Sequence, residues 1–64
     1  MSGIGWHTTV HGTAHAVATV RTNEVTATVR RIAADRSHKA GPALRKTVSD
    51  NGEYAVVRVA YRSI

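Results

Sequence analysis

The sequence predicts a small α+β domain: an antiparallel sheet of hairpins with one short helix near 32–40. Two stretches of period-two alternation and an Asn51-Gly52 dipeptide between hydrophobic runs carry that prediction. The predicted strands are about 7–20, 25–31, 43–49 and 53–62. A β-α-β-β arrangement and a small all-β SH3-like barrel are the alternatives.

Residues 7–20 alternate cleanly. Thr8, Val10, Gly12, Ala14, Ala16, Ala18 and Val20 are small and mostly apolar, whereas His7, Thr9, His11, Thr13, His15, Val17 and Thr19 are mostly polar. That is the pattern of a half-buried strand. Fully extended, the run would measure about 46 Å, against a radius of gyration of about 11 Å for a compact chain of this length. The segment must therefore bend or break, and Gly12 is the natural place.

Residues 25–31 alternate as well, and pair with 14–20 through the loop Arg21-Thr22-Asn23-Glu24. Val20 then faces Val25 and Ala18 faces Ala27, with Thr19 and Thr26 matched on the other side, the kind of cross-strand pairing that stabilises sheets. A helix competes for these residues, because Val25, Val29, Ile32 and Ala33 recur at helical spacing and Thr22 is a suitable cap. The low helix propensity of Val and Thr favours the hairpin. The helix is then expected from Ile32 onward, stopped by Gly41-Pro42.

Asn51-Gly52 is a strong hairpin signal. A two-residue loop there sets Val48 opposite Ala55, Lys46 opposite Val57 and Leu44 opposite Val59. The last strand presents Ala55, Val57, Val59 and Tyr61 on an apolar face, and Tyr54, Val56, Arg58, Ala60 and Arg62 on the other. In that register Arg45 lies directly opposite Arg58, which is unfavourable unless an anion sits between them. A short helix from Pro42 to Asp50 competes with the first strand of this hairpin.

Composition narrows the function. The chain has 64 residues, no cysteine, and nine Lys/Arg against four Asp/Glu, a formal charge of +5. It reads as one domain, 1–64, without disulfides or a cysteine-based zinc site. Large apolar residues are few (Met1, Ile4, Trp6, Ile32, Leu44, Tyr54, Tyr61 and Ile64), so the core is thin and self-association as a homo-oligomer is expected. No secretory signal or membrane-spanning run is legible, which makes a cytoplasmic, non-membrane protein the expectation.

The charge is uneven. Residues 1–20 contain no Lys, Arg, Asp or Glu, and seven of the nine cations are arginine. Arginine's planar fork suits phosphate. The leading expectation is a small, non-enzymatic, nucleic-acid-associated or regulatory protein. Its candidate phosphate contacts are Arg30, Arg31, Arg36, Lys39, Arg45, Lys46, Arg58 and Arg62. The alternative is a protein–protein interaction module, an inhibitor or adaptor of a larger acidic protein, which would add the neutral N-terminal strand to another sheet. Trp6, Val10, Val17 and Val20 are the candidate interface residues for an oligomer or partner.

No enzymatic constellation is visible. The four carboxylates, Glu24, Asp35, Asp50 and Glu53, form no motif, and there is no glycine-rich phosphate loop. His7, His11 and His15 would share a helix face, but along a strand residues four apart are separated by about 13 Å, too far for one metal ion. No cofactor, metal or small-molecule substrate is expected.

Overall fold

A computed structural model describes residues 3–64; Met1 lies outside them. The described residues form one four-stranded antiparallel sheet with a single helix against one face. The elements are β1 (Gly5–Thr8), β2 (Thr13–Arg21), α1 (Val25–Ala34), β3 (Lys39–Asp50) and β4 (Tyr54–Ser63). The sheet order is β1-β2-β4-β3, so two hairpins meet along the central β2–β4 pair. The radius of gyration is 11.4 Å and the long axis 33 Å.

The alternating N-terminal segment breaks at Gly12, as its length requires. Gly12 has φ +82°, a left-handed conformation that suits glycine. The turn is closed by Thr9 N–H donating to the Thr13 carbonyl at 2.8 Å, and by the Thr9 hydroxyl oxygen, which accepts from the amides of His11 and Thr13. β1 and β2 are therefore the two arms of a hairpin, with His7 opposite His15 and Trp6 opposite Ala16.

The expected 25–31 strand is instead helix. α1 runs from Val25 to Ala34 after a single 3-10 turn over Thr22–Glu24. The helical spacing outweighs the weak propensity of Val and Thr, because it puts Thr28 and Ile32 in the core and packs Val25 and Val29 against it. Thr22 does not cap the helix with its side chain. Its hydroxyl donates toward the carbonyls of Gly52 and Glu53 at 3.0 and 3.2 Å, tying this corner to the distant β3–β4 turn.

The helix predicted near 32–40 is corrected at its far end. It stops at Ala34, where Asp35 turns the chain: its carboxylate accepts from the amides of Ser37 and His38 at 2.8 and 3.0 Å. Gly41 and Pro42 lie within β3, in a bulge between Ala40 and Arg45. Proline is tolerated there because β3 is an edge strand. The competing Pro42–Asp50 helix does not form.

With 25–31 in the helix, β2 finds its partner across the whole chain. Ala14, Ala16, Ala18 and Val20 face Tyr61, Val59, Val57 and Ala55 in turn. These residues line the buried face of the sheet, where three alanines of β2 lie opposite larger residues of β4 and the order reverses at Val20 and Ala55. Trp6 closes one end of this core, stacked on His38 at 4.8 Å between ring centroids and 6.1 Å from Tyr61. Lys39 lies over the other aromatic there, 4.7 Å from the Tyr61 ring centre.

The last hairpin forms, but in a shifted register. Asp50 pairs with Ala55, Val48 with Val57, and Lys46 with Val59. A type I′ turn needs positive φ at both central residues, and only Gly52 has it, at +98°. The Asn51 side-chain oxygen instead accepts from the amides of Glu53 and Tyr54 at 3.2 and 3.0 Å, and Asp50 accepts from Gly52 at 3.1 Å. These bonds build a wider turn. The shift is by two residues, so every side chain keeps its face.

Candidate functional site

One helix of ten residues covers only one side of the sheet. The other side is open. Because β2 and β4 bury their Ala14–Val20 and Ala55–Tyr61 sets toward α1, the intervening residues project onto the open side. On β2 these are Thr13, His15, Val17, Thr19 and Arg21; on β4 they are Tyr54, Val56, Arg58, Ala60 and Arg62. β1 adds His7, opposite His15, and β3 adds Arg45 and Thr47, opposite Ala60 and Arg58.

Four arginines thus share the open face: Arg21, Arg45, Arg58 and Arg62. Arg21 pairs with Tyr54 across the sheet, its guanidinium 5.5 Å from the ring centre. Tyr54, Arg58 and Arg62 follow at four-residue intervals on β4, so the cationic row spans about 26 Å. Arg45 stands beside it on β3. None of the four carboxylates occupies a strand position on this side. Glu24, Asp35 and Glu53 lie outside the strands, at helix ends and a turn, and Asp50 is on the helix side.

Among the described residues the sole contact within ion-pair distance joins Asp35 to the His38 ring, at 3.1 Å, and is charged on both sides only when His38 is protonated. Burial raises the Asp35 pKa, but the hydrogen bonds from Ser37 and His38 and the His38 charge outweigh it and hold the carboxyl below its ordinary value. Every lysine and arginine among the described residues lacks a carboxylate partner within ion-pair distance.

The sequence-derived candidates divide between the two sides. Arg45, Arg58 and Arg62 come together on the open face. The direct opposition expected of Arg45 and Arg58 is corrected: Arg45 faces Ala60 and Arg58 faces Thr47, which makes the two arginines diagonal neighbours, roughly 7–8 Å apart at that position. Lys46 points to the helix side with Val48. Lys39 is half-buried over Tyr61. Arg30 and Arg31 are exposed on α1, and Arg36 is exposed in the loop after it. These five do not join the open-face group.

The expected interface residues scatter. Val20 belongs to the core, Trp6 is half-buried against it, Val17 lies half-buried on the open face, and Val10 is 97% exposed at the tip of the first turn. β2 is an interior strand, hydrogen-bonded to β1 and β4, so residues 13–21 have no free edge to offer another sheet.

Sequence reasoning missed Arg21, His7, His15 and Thr47. The signal for the first three was present, because the polar parity of residues 7–19 continues to Arg21 and places all three on one face. Thr47 depended on the register of the last hairpin. Two of them, His15 and Thr47, border a shallow cleft of about 200 Å³ around Ala60, lined by His15, Arg45, Thr47, Arg58, Val59 and Ala60. Among the described residues no group of three or more His, Cys, Asp or Glu is placed to hold a metal ion. No helix among them is long and apolar enough to cross a membrane. No known protein family, curated protein or solved structure matches the chain.

Proposed function

We propose that the open face of the sheet binds nucleic acid through its phosphates. The observation that carries this reading is the gathering of Arg21, Arg45, Arg58 and Arg62 on one solvent-facing surface without a carboxylate among them. Clustered like charges repel, and a neighbouring polyanion relieves that repulsion. The face has one aromatic, Tyr54, and it is engaged with Arg21. Recognition is therefore electrostatic, with little base stacking. The protein acts by binding and not by catalysis.

Salt dependence tests this directly. If the four arginines each neutralise one phosphate, log affinity falls with log salt with a slope of about −3.6 on duplex DNA and about −2.8 on single strands. Fluorescence anisotropy with duplex DNA, single-stranded DNA and RNA measures it. Replacing Arg45, Arg58 and Arg62 together by alanine is expected to reduce the duplex slope to about −0.9. If replacing Arg30 and Arg31 flattens the slope instead, the site is on the helix. Absence of binding at low ionic strength to all three nucleic acids refutes the reading.

A further inference from the structure

We infer that the cleft over Ala60 is a seat for a single phosphate monoester, the terminal phosphate of a nucleic-acid strand. The inference rests on the reading of the open face as a nucleic-acid surface, and it assigns one point on that surface a distinct role.

The geometry begins with the cross-strand row His7, His15, Ala60, Arg45, each paired with the next across the sheet. Ala60 is the smallest side chain on the open side of β4, and it is flanked along the strand by Arg58 and Arg62. A methyl group bordered by longer side chains leaves a depression. Its lining is His15, Arg45, Thr47, Arg58, Ala60 and Val59; the Val59 side chain is buried on the other face, so it offers backbone only.

The β3 bulge is a second, independent feature pointing to this spot. Between Ala40 and Arg45 the edge strand carries extra residues that its partner does not match, with Gly41 at φ +78°. The regular ladder resumes at Arg45, beside the cleft. Bulges are enriched next to functional sites because they re-aim a side chain.

The chemistry then selects the ligand. Two guanidinium groups, one hydroxyl and one imidazole surround the depression, with no carboxylate in its lining. A phosphodiester carries a single negative charge. A monoester carries about −1.5 to −2 with three free acceptor oxygens, which matches two arginines and keeps acceptor lone pairs for Thr47 and His15.

The test compares two single-stranded oligonucleotides, identical except for a 5′-phosphate or a 5′-hydroxyl, by anisotropy at low salt. The phosphorylated strand is expected to bind about tenfold more tightly, and Ala60→Leu, which fills the depression, is expected to bring the ratio of the two affinities toward one. If circular dichroism shows that Ala60→Leu does not fold, Thr47→Val on the exposed edge strand serves instead and should also lower the ratio. Equal binding of both strands by the unaltered protein overturns the seat and leaves the nucleic-acid surface standing. A preference that survives a folded Ala60→Leu protein places the phosphate elsewhere and also overturns it. If neither strand binds, the surface reading fails, and a nucleoside 5′-monophosphate decides the seat. Shifts of the His15 and Ala60 NMR signals on its addition keep the seat for a free nucleotide, and unmoved signals remove it.

Discussion

Replacing Ile32 by alanine should remove a large fraction of this protein's stability. Ile32 and Val57 are the largest fully buried side chains of the described residues. Ile32 is the anchor by which α1 sits on the sheet, against a cluster whose other members include Ala16, Ala18, Val57 and Val59. Ile→Ala changes in cores cost about 2–5 kcal/mol, more where the surroundings cannot close on the cavity. Here one wall is the β2–β4 ladder, and short alanine side chains have no length with which to fill the gap. The upper part of that range is expected, about 3–5 kcal/mol. A chain of this length has a total stability of roughly 3–10 kcal/mol, so the single change removes a large fraction of it. Each kcal/mol lowers Tm by about 4–8 °C in a domain of this size. Urea unfolding followed by circular dichroism gives the free energy from the midpoint at constant slope. The exposed neighbour Ala33→Ser is the control and should change stability by less than about 0.5 kcal/mol. A loss below about 1 kcal/mol for Ile32→Ala would show that the helix is not docked on β2 and β4, and would return residues 25–31 to the hairpin that their alternation suggests.

Two further perturbations test the turns. Gly12→Ala puts a Cβ at a φ of +82° where the nearest outside atom, Ser63 Oγ, is 3.9 Å away, so the cost is backbone strain alone; about 1–2 kcal/mol is expected by urea denaturation, against almost none for Gly3→Ala, and an equal effect of the two would deny the left-handed turn. Asp35→Asn tests the helix stop. The Asp35 carboxyl titrates below the ordinary value of 3.8, so its stabilising effect is fully present above that pH and fades as pH falls through the lowered folded value. Between neutral pH and about pH 3 the urea midpoint of the unaltered protein should therefore fall more than that of Asp35→Asn, and parallel curves for the two would show that the carboxylate does not hold the 35–38 turn.

The sequence announced some of this fold and hid the rest, for separable reasons. Period-two patterning marks which side of β2 and β4 is buried, since it is a local property of each strand. The need for a break follows from length, and its place from the glycine at position 12. The helix was obscured because Val25, Thr26, Thr28 and Val29 are poor helix formers, although the spacing of Val25, Val29 and Ile32 already suited one. A strand over 25–31 gives β2 a false neighbour, and the true pairing of β2 with β4 has no local signal. The candidate site shows the same division. Arg45, Arg58 and Arg62 were legible as one face from parity. Their arrangement was not, because it depends on whether Asn51-Gly52 makes a two-residue or a wider turn. That choice is made by side-chain oxygens of Asp50 and Asn51, which capture amides a tighter turn would leave elsewhere.

The small size of the domain and the location of its charge are connected. A single helix covers one face of a four-stranded sheet, and no element among the described residues covers the other. Solubility alone would be served by mixing charges of both signs on that face. Here the carboxylates are at turns, at helix ends or on the helix side, while the open face keeps only arginine among its formally charged side chains. Clustered like charges repel and lower the stability of the free domain modestly, and a domain whose core is largely alanine and valine has little stability in reserve. An arrangement that costs stability in the free protein is compensated when an anion lies on the face, since binding to the native state alone adds to its stability. The protein should therefore melt at a higher temperature in the presence of a polyanion. The gain should shrink with added salt and fall to the small part that Arg21 supports when Arg45, Arg58 and Arg62 are replaced, because in the proposed complex these three side chains both create the repulsion and hold the anion.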